Sequence, residues 1–224
     1  VLRIASEAAE AYADPQAFAA RAVEGMWRTL GGKLTGSVRE GKVPAGLQPV
    51  FSATSPSLAE VVRDVNKFSN NVMAQHVFLT PALQKNGVAT WDGAREVLRQ
   101  WWRQRFGTEG QPITDNGAGL SREARISAQA LGRMLQAAWQ SPVMPELVAS
   151  LPVAGIDGTL RRSKSRTGSA HLKTGSLRDV LAVAGYVHAD DGRRYVLVAI
   201  VNHAQAVAAR PVLDALIDWT AGTP

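Results

Sequence analysis

Two short polar stretches carry residue types that could do chemistry together. In Lys173-Thr174-Gly175-Ser176 a lysine and a hydroxyl sit side by side ahead of apolar, alternating runs. On a strand, that pair suits recognition of a carboxylate, and the glycine lets a substrate backbone lie close. Far upstream, Ser69-Asn70-Asn71 interrupts an apolar helical pattern. A hydroxyl and an amide projecting from a helix junction can relay a proton and hold a peptide carbonyl. Facing one another, the two stretches would suit acyl transfer. Each alone has a plainer explanation, a surface strand that carries a lysine and a helix cap.

Other chemistries find less support. The 224 residues include no cysteine, which excludes disulfides, thiolate metal sites and cysteine nucleophiles together. Histidines 76, 171, 188 and 203 lack metal-ligand spacing, so neither a metal nor another cofactor is expected, and His76 reads as a satisfied core residue. The glycine-punctuated loop Asp115 to Arg122 has no strong strand before it, as a phosphate cradle needs, and reads as a shaped turn. A net charge of +6 and a pI near 10.1 favour an acidic partner without choosing among nucleic acid, an anionic envelope polymer and a carboxylate-ended substrate. The basic run Arg161 to Arg166 lacks the aromatic interleaving of a nucleic-acid surface and reads as a solvated loop.

The elements that must position these residues follow from periodicity. Asp14-Pro15 caps a helix bearing Phe18, Ala22, Val23, Met26, Trp27 and Leu30, which Gly31-Gly32 ends. Lys33 to Arg39 alternates weakly, as a short strand would, before a loop marked by Pro44, Gly46 and Pro49. Ser55-Pro56, or the capping-box pair Ser57 and Glu60, opens a helix with a buried stripe of Leu58, Val61, Val62 and Val65. Past the polar kink at 67–71 the helical period resumes through Val72, Met73, His76, Val77 and Leu79.

Trp91 to Phe106 is a further helix, with Val97, Leu98, Trp101, Trp102 and Phe106 inward, and Leu131 to Trp139 another. After a short apolar helical piece beyond Pro142, Leu172 to Ser176, Val180 to His188 and Arg194 to Asn202 form a three-stranded antiparallel meander, its hairpin marked by Asp190-Asp191-Gly192. A closing helix takes its apolar face from Val207, Val212, Leu213, Leu216, Ile217 and Trp219, with Pro211 at a break or in the first turn. No repeat or linker divides the chain, which reads as one domain over 1–224.

In this order, Ser55 through Asn71, the Asp115 to Arg122 loop, Gly155 to Leu160, and Lys173-Thr174-Gly175 leading into Ala184-Gly185-Tyr186-Val187 resemble the penicillin-binding proteins. The likeness is to the D-alanyl-D-alanine carboxypeptidase/endopeptidase family of low molecular mass, class C type, with its S-x-x-K, S-x-N and K-T-G motifs. The resemblance implies an α+β, serine β-lactamase/transpeptidase-like fold, an antiparallel sheet flanked by helices. It also implies a periplasmic or extracytoplasmic serine peptidase that acts on peptidoglycan stem peptides through an acyl-enzyme trapped by β-lactams. On that analogy Ser69 relays a proton, Asn71 positions substrate, Lys173 supports the relay, Thr174 binds the substrate carboxylate, and Gly175 and Ser176 line the substrate. The backbone N–H of Ser176 would be one of two oxyanion donors.

The departure from the family is at the nucleophile. No serine here is followed by lysine three positions on; even Ser163 meets Arg166 there. With Val1 in place of a methionine and no leader or membrane-length apolar run, the chain reads as the family's C-terminal half, its nucleophile upstream and its fold incomplete. Alone it is expected to be inactive, and to engage β-lactams only with the missing half. The family's missing strands would leave Tyr195 to Asn202 as an open edge that invites self-association. Two rival readings are a non-catalytic peptidoglycan-binding module and, on charge alone, a basic nucleic-acid-binding domain.

Overall fold

The computed structural model describes residues 17–39, 41–49, 52 and 54–222. Contacts gather the chain into two compact units, 1–54 and 55–224, where the sequence, lacking a linker, suggests one. The division falls just beyond the loop of Pro44, Gly46 and Pro49, which has no regular structure of its own.

In the first unit, α1 spans Phe18–Thr29, and none of its residues is buried. Its expected apolar stripe is therefore exposed, Leu30 by 78%. The Asp14-Pro15 cap lies outside the described residues. Lys33 to Arg39 forms no strand, contrary to its weak alternation, and makes no ladder with a neighbouring segment. An isolated alternation earns nothing without a partner to take up its backbone groups.

The second unit holds the helices α2 (Leu58–Phe68), α3 (Asn71–Asn86), α4 (Trp91–Phe106), α5 (Ala128–Trp139), α6 (Met144–Ser150) and α7 (Arg210–Ala221). Its strands are β1 (Ala170–Leu177), β2 (Val180–His188) and β3 (Arg194–Asn202), an antiparallel sheet in the order β1-β2-β3. Among the described residues β3 has one strand neighbour, β2, so the expected open edge is present.

Strand alternation sorts the core into two layers. Leu172, Leu181, Val183, Val187 and Leu197 face α7, where Leu213, Ile217 and Ala221 meet them. Ala184, Tyr186, Val196 and Val198 face the other way, onto Leu131, Leu135 and Trp139 of α5 and Leu147 and Val148 of α6. With both faces covered the strands read as nearly continuous apolar runs, and each fully buried large side chain contributes roughly 1.5–3 kcal/mol. The phenol of Tyr186 donates to Leu135 O at 2.8 Å, which satisfies its buried hydroxyl. Gly185 permits close pairing of β1 and β2, because a Cβ there would sit 2.2 Å from His171 O.

Several residues expected inside are outside. Leu58, Val72, Val207, Val212 and Trp219 are more than half exposed, and Trp101 is exposed while its neighbour Trp102 is buried. The closing helix buries Leu213 and Ile217 as expected, together with Thr220 and Ala221, and has Pro211 in its first turn. His76, expected in the core, is exposed; its Nδ1 sits 2.8 Å from Val72 O in its own helix. Periodicity finds an apolar stripe, but its width is set by which neighbours arrive.

The basic run is a tied loop. Ser163 donates to Asp214 Oδ1 at 2.6 Å, the Arg166 N–H donates to Asp218 Oδ1 at 2.6 Å, and the Arg166 guanidinium pairs with Asp190 at 2.5 Å.

Candidate active site

The first wall is the junction between α2 and α3. Ser57 and Glu60 form a reciprocal capping box at the start of α2, so Ser57 is the cap residue. At the other end Ser69 takes the left-handed conformation, φ 54° and ψ 46°, alone among the described non-glycine residues. A helix commonly closes through such a residue, but glycine is the usual occupant, so a serine there holds strain of about 1–2 kcal/mol. Asn70 then caps α3 by accepting from Met73 N at 3.0 Å. The chain thus turns on a single residue whose hydroxyl is held away from both helices.

The second wall is β1. Segment 152–154 lies along the first part of this strand: Leu172 N donates to Pro152 O and Ala154 N donates to Ala170 O, both at 2.9 Å. From Lys173 onward, β2 is the only strand partner of β1 among the described residues. The free edge therefore begins at Lys173 and runs through Thr174, Gly175 and Ser176, of which the last two are exposed.

The two walls meet at one contact, a hydrogen bond from Lys173 Nζ to Ser69 Oγ. The ammonium also donates to Thr174 O at 3.0 Å. Lys173 is half-buried, and among the described residues no carboxylate lies in ion-pair range of it. Burial pushes its ammonium below the ordinary lysine value. A lysine so placed can trade a proton with the hydroxyl it touches, or hold that hydroxyl's lone pair while the proton goes elsewhere.

The other expected site residues divide. Thr174 points to the α7 side of the sheet, where its hydroxyl meets that of Thr159 at 2.7 Å, beside a cavity of about 250 Å³ that Arg162 and Arg210 also line. Asn71 does not present its amide group freely. Its Nδ2 donates to Ala118 O at 2.6 Å, and so anchors the glycine-punctuated loop next to the junction. That loop is seated by Gly117 against α3, where a Cβ would come within 2.4 Å of Phe78. Across the chain, Arg122 from the same loop pairs with Asp179 in the β1–β2 turn.

Three contributors escape sequence reasoning. Lys67, two residues before Ser69, buries its ammonium on Leu151 O and Asp157 Oδ2, each at 2.6 Å. Asp157 also accepts from Val153 N at 2.8 Å. Burial pushes the Asp157 carboxyl upward, but the Lys67 and Val153 hydrogen bonds and the nearby positive charge outweigh it, leaving it below the ordinary carboxylate value. Both residues lie in segments noted for shape, the polar kink and Gly155 to Leu160, and nothing in their spacing says they meet. Thr159 follows in the same segment.

Beneath the lysine, His171 and His188 stack with ring centroids 5.1 Å apart. His171 Nδ1 lies 3.2 Å from Val148 O, while His188 Nε2 is buried without a hydrogen-bond partner. Burial lowers both imidazoles below their ordinary value. Among the described residues no group of three or more histidines and carboxylates is placed to hold a metal, and no helix is long and apolar enough to cross a membrane.

Solved structures share this fold. Penicillin binding protein 4 (dacB) of Haemophilus influenzae, in complex with a β-lactam, matches with a TM-score of 0.73 at 21% identity, over 90% of this chain and 51% of that one. The Bd0816 predatory endopeptidase of Bdellovibrio bacteriovorus matches with a TM-score of 0.56 at 16% identity, over 73% and 43% of the two chains. The fold is thus the α+β fold of the penicillin-binding proteins.

The chain belongs to the D-Ala-D-Ala carboxypeptidase 3 (S13) family, whose sequence model matches residues 5–223. A D-alanyl-D-alanine carboxypeptidase of Actinomadura sp. (strain R39) is 31% identical over 205 residues, which cover 85% of this chain and 37% of that protein. Carboxypeptidase DacB of Mycolicibacterium smegmatis is 30% identical over 187 residues, 78% and 40% of the two. The chain therefore spans well under half the length of these curated relatives.

Proposed function

We propose that residues 1–224 form the substrate-binding and proton-relay part of a transpeptidase-like domain in a serine-type D-Ala-D-Ala carboxypeptidase/endopeptidase. It acts on peptidoglycan stem peptides outside the cytoplasm. The observation that carries this reading is the Lys173 ammonium on the Ser69 hydroxyl at the start of a free strand edge. An extended peptide can add to that edge through its own backbone, with its terminal carboxylate on the Thr174 hydroxyl. Lys173, Ser69 and Asn71 act at the reacting end, and Gly175 and Ser176 let the peptide lie close.

The reaction is acyl transfer in two steps. A serine hydroxyl supplied by a more N-terminal S-x-x-K segment attacks the carbonyl of the penultimate D-Ala, and the C–N bond breaks. The attacking hydroxyl gives its proton to the lysine of that segment, the leaving amine takes one up through Ser69 held by Lys173, and the carbonyl oxygen's charge is met by the Ser176 N–H. Water then hydrolyses the ester and restores the serine hydroxyl. A β-lactam would stop at the acyl-enzyme, because its amine stays tethered and blocks the water.

This chain lacks the nucleophile, so alone it should be inactive. Labelled penicillin tests the reading. The isolated chain should take up no label, and the same chain joined to its N-terminal portion should be labelled at a serine of that portion. Label on the isolated chain, or none on the joined protein, would overturn it. A peptidoglycan-binding module without catalysis predicts retention on cell-wall sacculi together with no label on the joined protein.

A further inference from the structure

Lys67 and Asp157 close a ring of contacts around the site. From Ser69 the backbone runs back two residues to Lys67, whose ammonium holds Asp157 Oδ2 at 2.6 Å. The other oxygen of Asp157 holds Val153 N, and Val153 bridges to His171 on β1. Two residues further along β1 is Lys173, whose Nζ returns to Ser69. The walls of the cleft are thus tied once through the reacting groups and once behind them.

The second tie is built tightly. The Lys67 side chain is 11% exposed, and its ammonium also holds Leu151 O, one residue before the segment that lies along β1. Gly158 packs against the backbone carbonyl of Lys67, where a Cβ would come within 2.7 Å. One residue earlier, Asn66 Nδ2 donates to Ser150 Oγ at 2.7 Å, which fixes the same helix end to the end of α6. A lysine taken this far out of water gains little stability from its partner. What the pair does supply is a fixed separation between the end of α2 and the edge of β1, and Ser69, in a strained conformation, needs such a constraint.

We infer that Lys67 and Asp157 are positioning residues that set the Ser69–Lys173 contact, acting through the α2–α3 junction and the 152–154 segment without touching substrate. This rests on the reading of Ser69 and Lys173 as the proton relay.

The experiment compares Lys67→Met and Asp157→Asn, singly and together, by two readouts. Asp157→Asn keeps an oxygen for Val153 N while losing the charge toward Lys67, so it tests the tie with little disturbance to the strand. In the chain joined to its N-terminal portion, the maximal rate of penicillin acylation should fall roughly 100-fold, as a misplaced relay implies, while the half-saturating concentration changes by less than about threefold. The double variant should be no slower than the slower single variant, since the two residues act as one unit. In the isolated chain, the amide protons of Ser69 and Asn70 should exchange about tenfold faster while those of β2 keep their protection.

Unchanged acylation with unchanged exchange would overturn the inference. So would losses in which rate, half-saturation and β2 protection decline together, because they would mark general destabilisation. If Lys67→Met does not fold, Asp157→Asn decides by the same readouts. If the wild-type joined protein takes no label, the proposed function fails, and the exchange at Ser69 and Asn70 alone decides whether the tie holds the junction.

Discussion

Lys173 donates its ammonium to the hydroxyl of Ser69, a residue 104 positions earlier in the chain. The contact joins a strand edge that is free from this residue onward to a helix junction whose single left-handed residue is the serine itself. The proton relay proposed for the two groups needs both features, because burial lowers the lysine and the junction turns the hydroxyl toward it.

Ser69 separates stability from activity. Ser69→Gly removes the hydroxyl but suits the left-handed conformation, so chemical denaturation should show stability unchanged or raised by up to about 1 kcal/mol. The joined protein carrying it should lose roughly 100-fold or more in penicillin acylation. Ser69→Val should lose both, with stability down by about 1–2 kcal/mol or more.

The histidine stack makes stability pH-dependent. His171 and His188 both titrate below their ordinary value of 6.5 in the folded chain, chiefly through burial. Lys67 and Arg194 push the same way for His171 and His188 respectively, and Asp157 opposes the shift of His171. Below the folded values both states are protonated and the fold bears the cost of charging buried rings. As pH rises from there through 6.5 the unfolded chain binds more protons than the folded one, so stability increases, and it levels off above 6.5. The thermal midpoint should rise across that window, and less steeply in His188→Gln.

Gly185→Ala should be strongly destabilising. Its Cβ would meet His171 O at 2.2 Å, a backbone atom that can yield only by moving β1 from β2. A loss of about 3 kcal/mol is expected in chemical denaturation, with faster amide exchange along Ala170 to Lys173. Little change would mean that the strands tolerate a wider spacing at this point.

Asn71→Ala should loosen the loop it anchors. Losing the donor to Ala118 O leaves an acceptor unpaired beside a half-buried junction, at about 1 kcal/mol. Limited proteolysis should cut within residues 115–122 faster than in the parent chain, while the Arg122–Asp179 pair still holds the far end.

The outer edge of β3 predicts association. Val196-Leu197-Val198-Ala199-Ile200-Val201 is an apolar edge with strand pairing on one side only. Sedimentation of the isolated chain should show mass rising with concentration, and joining the N-terminal portion should suppress it. A monomer at every concentration would show that the edge is blunted by other means.

Much of this fold is legible in local pattern. Helix α4 and strands β2 and β3 have the bounds that periodicity and the Asp-Gly turn give them, because a long apolar stripe or a tight hairpin is a short-range property. Exposure was less legible. The exposed Trp101 and buried Trp102 are neighbours in one helix, and only the packing of α4 decides between them. The weak alternation at Lys33 to Arg39 found no ladder to join, and His76 fell on the outside of a helix whose apolar face turned elsewhere.

The sequence by itself determined the inventory of the site: a hydroxyl and an amide at a helix break, a lysine and threonine on a strand, and no serine with a lysine three positions on. Those are properties of residues close together in the chain. Tertiary structure alone decided that Lys173 reaches Ser69, that Asn71 spends its amide on Ala118, and that Lys67 and Asp157 stand behind the junction. Each joins segments between 47 and 104 residues apart. Contacts at such separations follow from how α2, β1 and the loops between them pack, and no local spacing encodes that.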